Sequence, residues 1–348
     1  PDVNRLLTII KGAVEKYNLR IENRRLKEEQ LKRYRIVGES AVIRELREVI
    51  AIVAQSDSSV LVWGETGTGK ELVASQIHYH SARSSGPLVK LNCAAIPHEL
   101  AESEFFGHTR GAFTGAASDK EGKFSLADKG TLVLDEIAEM PINLQSKLLR
   151  VLESSEIEKV GGSKTEKVNV RLISISVRDL EEQIKAEEFR QDLFYRINTI
   201  PVHVPPLRER KEDIPLLFDH FFNALKSKNF QPQKSYDQGI VNILMAYDWP
   251  GNVRELRNYT ERLFFLCRDD YIEVDFASQM LSDPGLSFET RDRPAGDKNL
   301  LTGSVEQFER SFLRINLSQV EGNVSELARR LGMDRGNLYK KLKKYNLL

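Results

Sequence analysis

The segment GETGTGKE, Gly64 to Glu71, has the residue types and spacing of a phosphate-binding loop. The apolar run SVLVWG before it predicts a strand, and KELVASQIHYH after it predicts a helix. Glycines let backbone N–H groups turn toward phosphates, and the start of a helix favours negative charge. Lys70 would reach the β- and γ-phosphates of a nucleotide, although a chance glycine-rich turn is the alternative. The predicted phosphate site comprises Gly64, Glu65, Thr66, Gly67, Thr68, Gly69, Lys70 and Glu71.

A second segment, TLVLDE, is an apolar run that ends in two carboxylates. Asp135, at the end of the predicted strand, would hold Mg²⁺ directly or through water, and Glu136 would act as general base on the attacking water. Acidic residues after a strand can instead cap the next helix. Together with the phosphate loop, the pair predicts a nucleoside triphosphatase that uses ATP and Mg²⁺. Glu71 stands where Ser or Thr usually binds Mg²⁺, so the ion would depend more on other groups.

Three arginines are candidates to face the nucleotide's charge. Arg190 and Arg196 lie six residues apart in FRQDLFYRIN. Supplied to a neighbouring subunit, they would be arginine fingers, although helix-surface charge is the plain alternative. Arg254, in WPGNVRELRN, is predicted on the first turn of a helix, where it could report on the bound nucleotide.

These residues need a scaffold of alternating strands and helices. From 36 to about 200, β-like runs such as SVLVWG, PLVKLN, TLVLDE and VRLISISV alternate with helical stretches. This alternation predicts a parallel sheet covered on both faces. Residues 211–280 are predicted to be helical and without strands. SDPGLSFETRDRPAGDKN, 282–299, is typical of a linker.

The N-terminal segment has a narrow apolar seam. Leu7, Ile10, Val14, Tyr17 and Ile21 follow a 3,4,3,4 spacing, which is typical of a coiled coil. Two interpretations stay open: a surface helix of a globular domain, and a signalling helix that joins an upstream domain to the next and helps it to dimerise.

The C-terminal segment GNVSELARRLGMDRGNLYKKLKKYNL predicts a helix-turn-helix. Asn323 and Glu326 have capping-box spacing, and Gly332 would end the first helix. Asp334 can cap a second helix, whose buried residues would be Leu338 and Leu342. That helix would lie in the major groove of DNA, although a basic hairpin for protein contacts is the alternative. The predicted DNA-binding residues are Arg335, Asn337 and Tyr339 for base or sugar contacts, and Lys340, Lys341, Lys343 and Lys344 for phosphates.

Composition sets broad limits. The 348 residues suffice for two or three domains, and no run approaches the 18 apolar residues of a membrane span. Net charge is +5 over 1–35, −9 over 36–300 and +4 over 301–348, an asymmetry typical of a nucleic-acid-binding end. The two cysteines, Cys93 and Cys267, match no pairing or metal pattern and favour a cytoplasmic setting. No metal site is expected at His78 and His80.

The loop GHTRGAFTGAAS, 107–118, places Phe113 among small and polar residues. It has neither strand nor helix periodicity. Either the aromatic side chain folds back into a core, or it is presented to another molecule.

Together these motifs resemble the AAA+ domain of bacterial sigma-54-dependent transcription activators of the NtrC type, from about Ile36 to the C-terminus. The most specific element is GAFTGA. In this family the loop contacts sigma-54 and moves with ATP binding and hydrolysis, so the resemblance implies that Phe113 and Thr114 are presented. The implied sigma-54 loop comprises Gly111, Ala112, Phe113, Thr114, Gly115 and Ala116.

The resemblance also implies roles for individual residues. Glu71 is usual at this position in the family, so its presence where Ser or Thr is common no longer argues against a nucleotide site. The implied roles are Lys70 as the Walker A lysine, Asp135 and Glu136 as the Walker B pair, Asn92 as the residue that restrains the catalytic glutamate, Arg190 and Arg196 as arginine fingers, Arg254 as the sensor II arginine, and Ile36 and Val37 as further nucleotide-binding residues.

One position departs from the family. Where members commonly have ATNRDL, this chain has ISVRDL, so Val177 replaces the sensor I asparagine. A valine cannot hydrogen-bond to the γ-phosphate or its water. The departure points to weakened hydrolysis or weakened coupling to loop movement, with Ser176 as a partial substitute.

The remaining implications concern organisation and partners. Residues 1–35 resemble the end of a response-regulator receiver domain and its coiled-coil linker, and the C-terminus resembles a Fis-type DNA-binding domain with dimerising helices in 304–320. The expected domains are a linker helix (1–35), an AAA+ α/β subdomain (36–210), a helical lid (211–281), a flexible linker (282–300) and a helix-turn-helix domain (301–348).

The leading hypothesis is an activator that binds enhancer DNA as a dimer and forms a ring, a hexamer or heptamer. It would hydrolyse ATP between subunits to convert the closed complex of sigma-54 RNA polymerase into an open one, under an upstream sensor histidine kinase and away from any membrane. Two alternatives remain: a DNA-binding regulator that no longer drives sigma-54, favoured by Val177, and an AAA+ chaperone or unfoldase.

Overall fold

The computed structural model describes residues 34–113, 115–267, 269–282, 323–333 and 335–345, with the isolated positions 12, 14, 16, 17, 313, 317 and 320. Most of the predicted coiled coil lies outside the described residues, as do nearly all of the predicted linker at 282–300 and most of 304–320. Thr114 and Asp334 lie outside them as well. The predictions for these residues stay predictions.

The strands are short, as expected for an α/β domain. They are β1 Val60–Trp63, β2 Leu88–Asn92, β3 Gly107–His108, β4 Lys120–Glu121, β5 Thr131–Asp135, β6 Glu156–Glu158, β7 Thr165–Lys167, β8 Arg171–Ser176, β9 Ile200–His203, β10 Ser235–Tyr236 and β11 Tyr271–Ile272.

The helices in the described ranges begin after residue 40. They are α1 Ala41–Ala54, α2 Lys70–Tyr79, α3 His98–Phe106, α4 Lys123–Leu126, α5 Ile142–Ser154, α6 Leu180–Lys185, α7 Gln191–Ile197, α8 Ile214–Lys228, α9 Gly239–Ala246, α10 Asn252–Leu266, α11 Val274–Ser282, α12 Val324–Leu331 and α13 Arg335–Lys344. Short 3₁₀ turns cover Ile137–Glu139, Leu207–Glu209 and Lys211–Asp213.

Five strands form one parallel sheet in the order β2-β5-β8-β1-β9. The parallel sheet predicted from the alternation of strands and helices is therefore confirmed. The edge strand β9 was not among the predicted runs, because its sequence IPVH holds few apolar residues and a proline. Parallel strands place their carboxyl ends at the same edge, and that edge carries the candidate residues.

Alternate residues of the strands pack into two apolar layers, one on each face of the sheet. Val133 of β5 packs with α1 and α2, whereas Leu132 and Leu134 pack with the helices of the opposite face. Burial on both faces explains why the strands are nearly continuous apolar runs rather than alternating ones.

The expectation that 211–280 contains no strand is wrong. β10 and β11 form a two-residue parallel pair, with Ser235 opposite Tyr271 and Tyr236 opposite Ile272. Two residues are too few for a periodic signal, so the pairing depends on contacts distant in sequence.

The described residues divide into two compact units. One comprises those up to Pro232 together with Val241–Phe264, and the other comprises Gln233–Ile240 and those from Phe265 onward. The second unit contains α12 and α13, whose apolar residues pack with Leu313 and Val320. No helix within the described ranges is long and apolar enough to cross a membrane.

Candidate functional site

The loop between β1 and α2 is closed by its own lysine. Lys70 is 7% exposed, and its ammonium donates to the carbonyl oxygens of Gly64 at 2.9 Å and Glu65 at 2.8 Å. Burial lowers the pKa of Lys70, while the nearby charge of Asp135 opposes that change. A phosphate group could replace these carbonyl oxygens as a stronger, charged acceptor.

The start of α10 is packed directly on this loop. The N–H of Arg254 donates to the carbonyl of Gly67 at 3.2 Å. The charge of Arg254 also contributes to lowering the pKa of Lys70. Gly67 has a φ of 79°, and a Cβ there would lie 2.2 Å from the carbonyl oxygen of Gly251. Only glycine allows this approach, and the predicted position of Arg254 on the first helical turn matches the structure.

Asn252 is a positioning residue that the motifs do not reveal. Its side chain is fully buried, donates to the carbonyl of Thr66 at 3.0 Å, and accepts from the N–H of Leu207 at 2.7 Å. It thus joins three segments that are distant in sequence. Its φ of 55° is left-handed, which asparagine tolerates better than most residues, and the residue type itself was the one hint in the sequence.

A bidentate ion pair borders the loop on another side. Arg208 donates to both carboxylate oxygens of Glu65, at 2.7 and 2.6 Å. The hydrogen bond from Arg208 lowers the pKa of Glu65 to about 2. This pair fixes the orientation of a loop residue, although its exposure limits its contribution to stability.

Two carboxylates follow β5 at the same sheet edge. Burial raises the pKa of Asp135, and Lys70 partly offsets this rise. The backbone N–H of Glu136 donates to Oδ1 of Asp135 at 3.0 Å, and Glu136 itself has a φ of 53° and a ψ of 48°. A non-glycine residue held in the left-handed region is common where function requires a fixed geometry.

Asn92 lies beside this pair. It ends β2 and is the sheet partner of Asp135. Its side-chain oxygen accepts the N–H of Ala95 at 3.1 Å, so the turn after β2 fixes the amide. The structure therefore brings Asn92 and the Walker B positions to one edge, while its restraint of Glu136 stays a prediction.

Ser176 and Val177 lie at the end of the central strand β8. Val177 is 42% exposed, and the Ser176 hydroxyl donates to the carbonyl of Arg178 at 2.7 Å. Ser176 is itself buried. The donor of Ser176 is thus committed to the backbone, and its partial substitution for an asparagine at Val177 stays a prediction.

A cavity of about 380 Å³ adjoins the phosphate-binding loop. Its walls are mainly apolar, which suits the face of a nucleobase. The lining includes Ile36, Val37, Thr68, Gly69, Leu72 and Leu217. The structure thus brings the predicted pair Ile36 and Val37 together with the loop.

Two buried charged residues hold the backbone of the phosphate loop and of the start of α1, and the sequence analysis did not predict either. Arg210 donates to the carbonyl of Thr68 at 3.0 Å. Asp213 accepts the N–H groups of Glu39 and Ser40, at 2.6 and 2.8 Å. They connect the phosphate loop and the start of α1 to the segment that leads into α8.

Arg190 lies just before α7, and Arg196 lies on it. Arg190 forms a bidentate pair with Asp192 and donates to Ser146 at 3.1 Å. Arg196 donates to the carbonyl of Leu152 at 2.6 Å. Both are exposed, and neither lines the cavity beside the loop. At these exposed positions they could reach the nucleotide of a second copy of the chain, and their role as arginine fingers stays a prediction.

The segment that contains Gly111–Ala116 emerges from a small antiparallel hairpin, β3 with β4. Within the loop, the N–H of Gly111 donates to Ala116 at 2.9 Å and that of Ala116 donates to Phe113 at 3.0 Å. Phe113 is 38% exposed, and its ring lies at 66° to that of His108, with the two ring centroids 4.9 Å apart. The side chain is therefore not enclosed in the core.

A second hairpin, β6 with β7, supports the base of this loop. Val160 exchanges backbone hydrogen bonds with the loop: it accepts from Thr109 at 3.0 Å and donates to Gly107 at 2.9 Å. A Cβ on Gly161 would lie 2.6 Å from that of Ala112. Sequence reasoning missed this support because the hairpin strands are short and mostly polar.

In the second unit, α12 and α13 form the predicted helix-turn-helix. Leu327, Leu338 and Leu342 are fully buried between the helices, and Gly332 ends α12 with a φ of 63°. The exposed surface of α13 includes Arg335, Asn337, Tyr339 and Lys340, with Lys344 beyond them and Lys341 half-buried. The second helix therefore presents basic and polar side chains on one element.

The capping box at the start of α12 is only half formed. Asn323 accepts the N–H groups of Ser325 and Glu326, both at 3.2 Å. The Glu326 carboxylate does not return to the cap; it pairs with Arg329 and Arg330 instead. The exposed arginines one turn ahead offer a charged partner, which a carboxylate prefers to a backbone N–H.

Known families match three parts of the chain. Sigma-54 interaction domain matches residues 36–203, AAA+ ATPase lid domain matches 208–288, and Bacterial regulatory protein, Fis family, matches 304–345.

Curated relatives align along most of the chain. Regulatory protein AtoC of Escherichia coli is 40% identical over 99% of this chain and 76% of its own length. Transcriptional regulatory protein ZraR of Escherichia coli is 44% identical over 88% and 68%. DNA-binding transcriptional activator HyfR of the same species is 42% identical over 95% and 51%. The chain thus spans from about half to three quarters of these relatives.

Solved structures agree with the fold. NtrX from Brucella abortus in complex with ATP has a TM-score of 0.67 and 35% identity, covering 98% of this chain and 76% of that one. The same protein in complex with ADP has a TM-score of 0.68. The α/β fold of an AAA+ P-loop NTPase, with a helical lid and a Fis-type helix-turn-helix, follows from the structure and these comparisons together.

Proposed function

This chain belongs to the sigma-54-dependent, enhancer-binding transcription activators of the NtrC family, and on that premise we propose that it hydrolyses ATP to remodel sigma-54 RNA polymerase. The product of remodelling is the open promoter complex. The observation that carries the proposal is the attachment of an exposed Phe113 loop to the domain that holds the phosphate-binding loop.

ATP would bind with its base in the apolar cavity beside Ile36 and Val37 and its phosphates on the Gly64–Lys70 loop. NtrX from Brucella abortus, solved with ATP and with ADP, supports nucleotide binding by this fold. Lys70 would exchange two backbone carbonyls for the β- and γ-phosphates. Arg254, on the first turn of α10, would sense the same phosphates from the helical side.

The residues present fit Mg²⁺. No group of three His, Cys, Asp or Glu residues in the described part of the chain could hold a metal by itself. Mg²⁺ commonly uses one or two carboxylates with nucleotide phosphates and water, and Asp135 offers such a carboxylate beside Lys70. When bound, the ion would neutralise phosphate charge. Glu136 would then accept a proton from the attacking water, with Asn92 holding it in check between turnovers.

Hydrolysis would take place between subunits of a ring, with the geometry of a hexamer or heptamer. Arg190, just before α7, and Arg196, on α7, are exposed and do not line the cavity of their own chain, so a neighbouring copy would receive them. Arginine fingers raise turnover by roughly 10³–10⁵.

DNA binding would use α13. Arg335, Asn337 and Tyr339 would face bases or sugars, and Lys340, Lys341 and Lys344 would contact phosphates, so affinity would fall with salt. A dimer formed through the linker helix and the C-terminal domain, and control by an upstream sensor histidine kinase, complete the proposal in a cytoplasmic setting.

A complementation assay tests hydrolysis between subunits. Lys70→Ala and Arg196→Ala proteins should each lack ATPase activity when alone. Mixed, they should recover part of it, because an Arg196→Ala subunit keeps an intact phosphate loop and can receive Arg196 from its neighbour. A mixture as inactive as its parts would overturn the proposed exchange of arginines, and a mixture of Lys70→Ala with Asp135→Ala is the matched negative control.

A further inference from the structure

One lysine near the phosphate loop is held by two partners from separate segments. Lys90 lies on β2, and its ammonium is 2.8 Å from Oε1 of Glu71. The same ammonium lies over the ring of Tyr34, 4.4 Å from its centroid. The Lys90 side chain is 25% exposed, whereas that of Glu71 is 60% exposed, so the lysine end of the pair is the less hydrated one.

Tyr34 is itself fixed to the side of the P-loop helix α2. Its ring stacks on that of Tyr79 at 5.6 Å and 25°, and its backbone carbonyl accepts from Nε2 of Gln76 at 2.9 Å. Tyr34 lies near the end of the predicted linker helix, residues 1–35. Its ring therefore joins that part of the chain to Lys90 and to α2.

Glu71 is the residue after the phosphate-binding lysine, in the first turn of α2. Its charge contributes to raising the pKa of Asp135, after the larger effect of burial, so the two carboxylates are within electrostatic reach. An unneutralised Glu71 would repel both Asp135 and the phosphates of ATP. The pairing with Lys90 offsets this repulsion.

We propose that Lys90 is a positioning residue of the nucleotide site, which holds the Glu71 carboxylate away from the phosphates, and that Tyr34 anchors Lys90 for this task. The proposal rests on the proposed function, because it concerns the same nucleotide. Its consequence is that loss of the Tyr34 contact alters ATP affinity through a charge at the site.

Titration of the intact chain with ATP at fixed, saturating Mg²⁺ tests the proposal by calorimetry. Lys90→Met should weaken ATP binding about three- to tenfold, because one negative charge near the phosphates is no longer neutralised. Glu71→Gln in the Lys90→Met background should restore affinity to near that of the unaltered chain. Lys90→Arg should also retain it, since the charge and the stacking on Tyr34 survive.

The anchor is tested by a matched pair. Tyr34→Leu should weaken binding about two- to fivefold through loss of the cation–π contact, whereas Tyr34→Phe keeps the ring and should bind like the unaltered chain. Equal losses in both Tyr34 variants would overturn the anchoring role.

Failure to restore affinity by Glu71→Gln would overturn the role of Lys90, as would a Lys90→Met protein that binds normally. Both results presuppose that the unaltered chain binds ATP and that Lys70→Ala does not, so they leave the proposed function standing. If the unaltered chain binds no ATP, the proposed function fails, and this inference fails with it.

Discussion

Gly67 and Gly111 have nearly the same φ, 79° and 83°, but very different surroundings. A Cβ on Gly67 would meet the backbone of Gly251 at 2.2 Å, whereas nothing lies within 4 Å of a Cβ on Gly111. Gly67 is required by close packing, and Gly111 only by its conformation. The phosphate-binding loop is packed against a distant segment, whereas the Gly111–Ala116 loop has open space at Gly111 and a partly exposed Phe113, although its last residue, Ala116, is buried.

The hydrogen bonds of the two loops differ in the same way. The phosphate loop is tied to distant segments through Asn252 and Arg210. In its described residues, the Gly111–Ala116 loop bonds mainly to itself, and it meets the β6–β7 hairpin at its base and at Ala112. We therefore expect a change in phosphate charge to act first on the segments that hold Asn252 and Arg210.

The largest effect is expected on ATP affinity when Lys70 of the phosphate loop is replaced. Lys70→Ala removes the main cation, and we expect ATP affinity to fall at least about 100-fold because charge-assisted hydrogen bonds are lost. Calorimetry with ATP measures this, with the exposed Lys185 on α6 changed to Ala as control. Unchanged affinity would refute the phosphate site.

The difference in packing between Gly67 and Gly111 can be tested by replacing each with alanine. Gly67→Ala combines strain with a backbone clash and should lower the free energy of unfolding by about 3 kcal/mol. Gly111→Ala should lower it by only about 1 kcal/mol, the cost of the left-handed conformation alone. Urea denaturation measures the free energy of unfolding of both variants. Equal decreases would show that the two glycines do not differ in packing.

A smaller effect should come from the family departure at Val177. Val177→Asn supplies a polar group at the end of β8, and one new hydrogen bond should raise kcat for ATP about two- to tenfold. Val177→Ala is the control, because it removes bulk without adding a polar group. If the asparagine variant hydrolyses ATP no faster than the alanine one, the departure is neutral.

The smallest expected effect is on the thermal stability of the nucleotide-free protein when Asp135 is replaced. Burial raises the pKa of this carboxyl, so its charged form is penalised in the folded protein. Stability should therefore rise as pH falls through the folded pKa. Asp135→Asn removes the penalty and should raise Tm at pH 7 by about 1–3 °C while abolishing Mg²⁺-dependent turnover. The difference in Tm should shrink toward acid pH; a constant difference would point to another cause.

Much of the architecture could be predicted from local signals. Glycine spacing located the phosphate loop, apolar runs located four of the five sheet strands, and turn residues placed Arg254 on a helical first turn. Each of these depends on neighbours in the sequence, where steric and hydrogen-bonding preferences are strong.

The supports of the site could not be predicted in this way. Asn252, Arg208 and Arg210 act on partners more than 100 residues away in the phosphate loop, so no short motif records them. Ser176 and Glu326 have the right residue types, but their groups are committed to other partners. Competition between partners is settled only by the folded geometry.

The central claim is that the exposed loop turns ATP hydrolysis into work on sigma-54 polymerase. Open-complex formation by sigma-54 polymerase, measured beside ATPase rate on the same samples, tests it most directly. Phe113→Ala and Thr114→Ala should keep ATP hydrolysis and lose open complexes, while Phe230→Ala, at a phenylalanine that is 90% exposed elsewhere, should keep both. Open complexes formed at the unaltered rate by both loop variants would contradict the account.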